Sequence, residues 1–443
     1  MVITFEDFVF CFIYLLFIYI ILVLFAKKRY GNDPITYKHF MWGFTVRAIG
    51  AISIGLIYQF YYGFGDTFGF YHMGKFFTLL TQYEPGETSN ILLLGDKQYF
   101  ISKAYQYGFS SWYAFNPSTV VIARICALTN MVSFGYYLPS SLFFALFSFS
   151  GVWKLYRVFT SLFPSLRREL AIFILFLPSV FFWGSGILKD SITMGALGWL
   201  TWAGFNVFII RKKFLISLIL GIISFYIIYQ IKEYIALAYL PALAAWIAFN
   251  YVNTIGNKAG KQLIVICFIF SILVGFALIG SSLDSEFSES SLNAVTQQAV
   301  ATQREIHELS AGSAYSLGNY EPGLGGFLKL MLPALVVTLF RPFIWEISSP
   351  FSILSAIEST FFIWITLKTF KEAGLKFFFK TLFNSPVILF CLSFAILFAI
   401  PVGIASGNFG SLVRYKIPCM PFYLIALYLI YYRSSGKRLL TKY

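Results

Sequence analysis

The sequence predicts an all-α membrane protein, a polytopic bundle of transmembrane helices with its N-terminus outside and its C-terminus in the cytoplasm. Three observations carry that expectation. Of the 443 residues, 58% are hydrophobic and only 12% charged, against about 25% charged in a soluble domain. So few charges cannot cover a water-exposed fold of this size. The apolar residues also gather into runs near the roughly 20 residues a helix needs to cross a hydrocarbon core about 30 Å thick. Finally, the basic residues between those runs fall mostly in alternate loops, as the positive-inside rule requires.

About eleven stretches are long enough to span: residues 8–26, 40–60, 137–159, 170–187, 191–210, 214–231, 235–252, 262–280, 350–368, 385–404 and 417–433. One set of alternate connections holds 22 of the 33 Lys and Arg, among them Lys27, Lys28, Arg29, Lys38, Arg47, Lys154, Arg157 and the Lys368–Lys380 group. That side is therefore cytoplasmic. The apolar segment 327–340 contains Pro333 and is too short to cross, so it reads as re-entrant or interfacial. Pro117 to Gly135, with Arg124 inside it, reads as a half-buried helix in the first outer loop. The whole chain, 1–443, is taken as one transmembrane domain. Its first outer loop, 61–135, carries the interfacial helix, and its second, 281–346, carries the re-entrant segment and an amphipathic stretch through Gln297, Gln303, Glu305 and His307.

Composition and motif content exclude several functions. The net charge of +14 lies in short clusters between apolar runs, a topology signal, so no nucleic-acid partner is expected. The five Cys lack metal-ligand spacing and read as small buried hydrophobes. Glu6 and Asp7 precede the first apolar stretch, so no cleavable signal peptide is expected. Walker A, dinucleotide and HExxH motifs are absent, and three His offer no zinc cluster. No cofactor is expected, and the sequence indicates no divalent metal.

Four short constellations could carry chemistry, all on the expected outer side. The first is Gly65-Asp66-Thr67-Phe68-Gly69-Phe70-Tyr71-His72. An acid beside aromatics at a membrane exit suits a general base, because partial desolvation raises a carboxyl pKa; a solvated turn acid fits the same pattern. The second is the short link ending in Lys189 and Asp190. A neighbouring opposite-charge pair is tolerable at the interface, and Lys189 could contact a phosphate. The third, Arg341-Pro342-Phe343-Ile344-Trp345-Glu346, offers a guanidinium suited to bidentate phosphate recognition, or simply one snorkelling to the interface. The fourth holds Arg414 and Lys416, cations on the disfavoured face that ask for an anionic partner, which lipid headgroups could supply. Glu358 lies inside a span, where an acid is by default functional or paired.

Taken in order, these patches resemble the GT-C superfamily of integral-membrane glycosyltransferases, which use polyprenyl-phosphate-linked sugars, and the layout is similar to that of bacterial envelope-polysaccharide proteins. The resemblance rests on the acid of Gly65-Asp66 through Tyr71, the pair Lys189-Asp190, and the stretch Arg414-Tyr415-Lys416-Ile417-Pro418 before the last span. Members usually have one span before the acid, whereas two precede Asp66 here. The resemblance implies an inverting transferase of the bacterial inner membrane, with Asp66 as catalytic base. Tyr71, His72, Lys189, Asp190, Arg341, Glu346, Arg414 and Lys416 would bind substrate, and aromatics such as Trp112 and Tyr113 would stack on sugar rings. Its partners are a polyprenyl-phosphate sugar donor, the lipid bilayer, and a glycan or protein acceptor. O-antigen-type polymerases or ligases, and a non-enzymatic transporter of lipid-linked solutes or an assembly scaffold, are the alternatives.

Overall fold

The computed structural model describes residues 2–109, 116–255, 315, 317, 324–347 and 350–436, and the regular structure among them is helical, with no strand. The first helices are α1 (Phe5–Tyr30), α2 (Pro34–Ile57), α3 (Asp66–Tyr83), α4 (Lys97–Gln106) and α5 (Pro117–Val132). Next come α6 (Tyr137–Leu162), α7 (Arg167–Ile174), α8 (Pro178–Trp183), α9 (Lys189–Gly204) and α10 (Phe214–Ile255). The remainder are α11 (Leu324–Phe340), α12 (Pro350–Asn384), α13 (Pro386–Ala405), α14 (Phe409–Tyr415) and α15 (Met420–Ser434). Among the described residues, 7 helices are long and apolar enough to cross a membrane, or 8 crossings if the bent pair α14 and α15 forms one span.

Local sequence explains where the helices begin. Asp33 caps α2, accepting from Thr36 N–H at 3.2 Å, with Pro34 at the first turn. Asn116 and Pro117 repeat the device at α5, and Asp96 caps α4 through Tyr99 N–H at 2.8 Å. Asp7, in the first turn of α1, is buried and also accepts from Leu138 N–H at 3.1 Å, so one carboxylate ties the starts of α1 and α6.

Several expected spans come out differently. The stretch 170–187 is divided between α7 and α8, because Pro178 cannot continue a helix and restricts the residue before it. The spans 214–231 and 235–252 run together in α10, a 42-residue helix broken at Lys232, whose φ of −149° and ψ of 79° are non-helical. Arg47 and Lys38, read as loop charges, lie within α2, and Arg47 is fully buried. The Lys368–Lys380 group lies on α12, which continues to Asn384 with a break at Gly374, where φ is 67°. Likewise Asp66 opens helix α3 rather than sitting in a loop. The expected span 262–280, the amphipathic stretch through His307, and Trp112 and Tyr113 lie outside the described residues.

The helices gather into two compact units. Unit 1 comprises Met1–Arg157, Val180–Trp202 and Ile219–Lys232; unit 2 comprises Val158–Ser179, Ala203–Leu218 and Glu233–Tyr443. Within unit 1, α3 and α5 pack on each other around Met73, Phe77, Leu80, Ile91, Phe100, Val120, Ala123 and Ala127. Burying a Phe or Leu side chain there contributes about 1.5–3 kcal/mol relative to leaving it in water. Also in unit 1, α6 and α9 meet backbone to backbone, since a Cβ on Gly151 would collide with the Gly195 carbonyl and one on Gly198 with the Gly151 carbonyl. Small residues permit that approach, the usual device where packing rather than water expulsion joins helices in lipid. In unit 2 the central helix is α13, buried from Val387 to Ile404 except at Ile396, and packed by α11, α12 and α15. Trp246 of α10 stacks on Phe390 of α13 at 4.7 Å.

Candidate functional site

Unit 1 holds Asp66, Tyr71, His72, Lys189 and Asp190, and unit 2 holds Arg341, Glu346, Arg414 and Lys416.

In unit 1, Gly63 at φ 77° ends the helical run from α2, and Gly65 at φ 144° turns the chain into α3. A side chain at Gly65 would meet the Tyr58 ring, so the turn demands glycine. Asp66 is half-buried in the first turn of α3, where the helix dipole favours a carboxylate. Thr67 shares a 2.6 Å hydrogen bond with the Tyr137 hydroxyl, and the Tyr71 hydroxyl donates to the Gly135 carbonyl. Tyr71 is only 4% exposed and packs edge-on against Tyr137 at 5.3 Å, so it holds α3 in place and offers no open face. Burial pushes its phenol pKa up. His72 faces outward, with its pKa pushed down first by partial burial and then by Lys75 one turn along.

Lys189 and Asp190 each reach a partner on another helix. The Lys189 ammonium donates to Ser118 Oγ at 2.6 Å and lies 5.9 Å from the Phe70 ring centre. Asp190 forms a buried ion pair with Lys232. Sequence reading missed Lys232 as a partner because it falls between two apolar runs and passes for a turn residue. Its signal was the Lys232-Glu233 doublet interrupting two apolar runs. Arg47 was missed likewise. Its Nη1 donates to Ser148 Oγ at 2.8 Å and to the Gly184 carbonyl at 2.7 Å, while Nε and Nη2 have no acceptor among the described residues.

Unit 2 concentrates its polar groups around the turn after α11. The Arg341 N–H still bonds back to the Val337 carbonyl at 3.1 Å. A short 3-10 turn, Ile344–Glu346, then brings the Glu346 carboxylate round to the Arg341 guanidinium, which it meets through Nε at 2.9 and 3.0 Å and through Nη2. Glu346 also accepts from Phe343 N–H at 2.8 Å, so one carboxylate closes the turn and fixes the guanidinium plane. Three rings surround that guanidinium: Phe409 at 5.0 Å, Tyr315 at 5.5 Å and Phe343 at 5.9 Å. Tyr315 is itself pinned, its N–H donating to the Gly407 carbonyl and its hydroxyl to the Gly403 carbonyl, both at 3.1 Å.

Lys416 departs from its expected role. It is 2% exposed, and its ammonium donates to the Arg341 carbonyl at 2.9 Å and to Ser359 Oγ at 3.2 Å. Ser359 Oγ donates to the same carbonyl at 3.0 Å. Both side chains hold the backbone of Arg341 rather than meeting solvent. Glu358 accepts from Ser179 N–H at 2.8 Å and from the Ser179 hydroxyl, which satisfies both oxygens of this buried acid. Arg414 lies on α14, whose start Asn408 caps through Ser411 N–H at 2.8 Å, and is 8% exposed.

The fourth constellation thus folds back on the third. Arg341, Glu346 and Lys416 come together in unit 2 as one hydrogen-bonded group. No protein-family model, curated protein or solved structure matches the chain. The site must therefore be judged on its own chemistry. A guanidinium held in a fixed plane and walled by rings, on a side chain still 21% exposed, is suited to an oxyanion with planar hydrogen-bonding edges. Among the described residues, no group of three His, Cys, Asp or Glu could hold a metal ion.

Proposed function

We propose that this chain is a multi-pass glycosyltransferase of the bacterial inner membrane that resembles the GT-C superfamily. It moves a sugar from a polyprenyl-phosphate donor to a glycan or protein acceptor on the outer face. In this reading the chain crosses about eleven times, N-terminus outside, with the Lys232 break in α10 separating two spans.

The single observation that carries the reading is the Arg341 group. A donor phosphate can accept from the guanidinium edge that Glu346 leaves unused. Because Lys416, Ser359 and Glu346 already fix Arg341, little order is lost when the phosphate binds. In the transfer itself the acceptor hydroxyl gives its proton to the base, its oxygen bonds to the anomeric carbon, and the bond from that carbon to the phosphate oxygen breaks. The electron pair leaves on the phosphate, where fixed cations stabilise it. The resemblance assigns the role of base to Asp66, in the first turn of α3.

The test uses the purified full chain in lipid nanodiscs. Arg341→Ala should weaken binding of undecaprenyl phosphate by about 10- to 100-fold, as expected for a lost hydrogen bond to a charged group, and Lys should restore only part of it. Asp66→Asn should leave that binding intact while sugar transfer falls by about 10²- to 10⁴-fold. The amide variants of Glu84, Glu87 and Asp96 serve as controls and should transfer normally. Wild-type transfer by Asp66→Asn removes the proposed base. Unchanged binding by Arg341→Ala removes the phosphate site.

A further inference from the structure

The turn that carries Arg341 holds one more planar group. The guanidinium lies over the Phe343 ring, and that ring is stacked on the Trp345 indole, with centres 4.8 Å apart and planes inclined by 26°. Trp345 is 81% exposed, so the stack ends in an open indole face. The tier is rigid at its other end, where Glu346 grips both the guanidinium and the Phe343 N–H.

We infer that Trp345 is the platform on which the donor's pyranose ring stacks while its phosphate engages Arg341. This rests on the proposed function and adds to it a contact for the sugar. A pyranose presents an apolar face of C–H bonds, which packs on an aromatic ring, and hydroxyls around its rim, which need polar partners. The indole supplies the first requirement. The Glu346 oxygens are taken up by Arg341 and the Phe343 N–H, so the rim hydroxyls keep water as their partner. A polyprenyl tail matches this position poorly, because an apolar chain beside the Arg341–Glu346 ion pair leaves those charges without water. Four residues therefore divide the donor by chemistry. Arg341 takes the phosphate, Phe343 joins the cation to the platform, Trp345 takes the ring, and Glu346 orders all three.

The experiment compares two probes on the full chain in nanodiscs: undecaprenyl phosphate, and the same lipid phosphate carrying one glucose. Wild-type protein should bind the glucosylated probe more tightly. Trp345→Leu should weaken that probe by roughly 5- to 10-fold, the scale of an aromatic stacking contact, and leave the bare phosphate unchanged. Trp345→Phe should retain most of the difference. Because the indole is exposed, neither variant disturbs a core, and thermal unfolding of each should match wild type. Equal weakening of both probes by Trp345→Leu would show an interfacial anchor instead and overturn the inference, as would unchanged binding of both. If wild-type protein binds neither probe, the proposed function fails and the sugar platform with it. If wild type binds both and Trp345→Leu moves neither, only the platform fails.

Discussion

Asp190 and Lys232 pair in unit 1 with 0% and 6% of their side chains exposed, whereas Arg341 and Glu346 pair in unit 2 with 21% and 16% exposed. The chemistry is alike and the surroundings are not. Removing two ions from water costs several kcal/mol each, so a fully buried pair persists only because each partner compensates the other. It has no capacity to spare for a ligand. A pair with water still at its edge has given up less hydration, and one of its members can exchange partners. Arg47 extends the contrast, since it spends its donors on Ser148 and Gly184 deep inside unit 1. A charged residue in an apolar chain is thus no guide to function by itself. What separates brace from binding group is how much of its hydrogen-bonding capacity the fold has already consumed.

The strongest way to break the comparison is to remove one member of the buried pair. Lys232→Met removes the cation from beside a fully buried carboxylate, and should lower resistance to denaturant by about 3–5 kcal/mol. Adding Asp190→Leu to the same chain should recover most of that loss. A double variant no better than the single one would mean the pair is not the source of the cost. Glu346→Gln sharpens the other side. It keeps an acceptor for Arg341 but removes a competing negative charge, so stability should move by about 1 kcal/mol or less. Binding of undecaprenyl phosphate should tighten several-fold, most clearly at low salt. Weaker binding would make Glu346 a positioning group whose charge is required.

The smallest effect is expected at a third ion pair, on the surface between α3 and α4. Hydrogen bonds from Lys103 and from the Tyr107 hydroxyl hold the Glu84 carboxyl below its ordinary pKa of 4.5. A carboxyl with a lowered folded pKa contributes its stabilisation fully above the unfolded value and loses it as pH falls through the folded one. Protection of residues 84–107 against hydrogen exchange, taken relative to the intrinsic rate at each pH, should therefore fall below about pH 4.5, and Glu84→Gln should flatten that dependence. An equally steep acid response in Glu84→Gln would assign it to another group.

Much of the helical layout was legible, because apolar runs and caps are local signals. The expected spans 8–26 and 137–159 lie within α1 and α6, 385–404 matches α13 to within one residue, and the helix expected from Pro117 begins there as α5. Charge patterning was less informative, since counting bases by loop cannot see that Arg47 points into a core or that Lys416 reaches the carbonyl of a residue 75 positions away. The turn around Arg341 was legible in part. Arg341 and Glu346 were both singled out, five positions apart, but their fork and the ring of Tyr315 above it depend on how distant segments meet. Asp190 found its partner 42 residues on, and no local periodicity encodes such a pairing.

The glycine contact between α6 and α9 bears on traffic through the bilayer. With Gly151 facing Gly195 and Gly198 so closely that not even a methyl group fits, no acyl or isoprenoid chain can thread between these two helices. That seam is a wall, and a long-tailed lipid reaching this protein sideways has to approach along some other flank. Bulk added at Gly151 pries the wall apart instead of narrowing a gate.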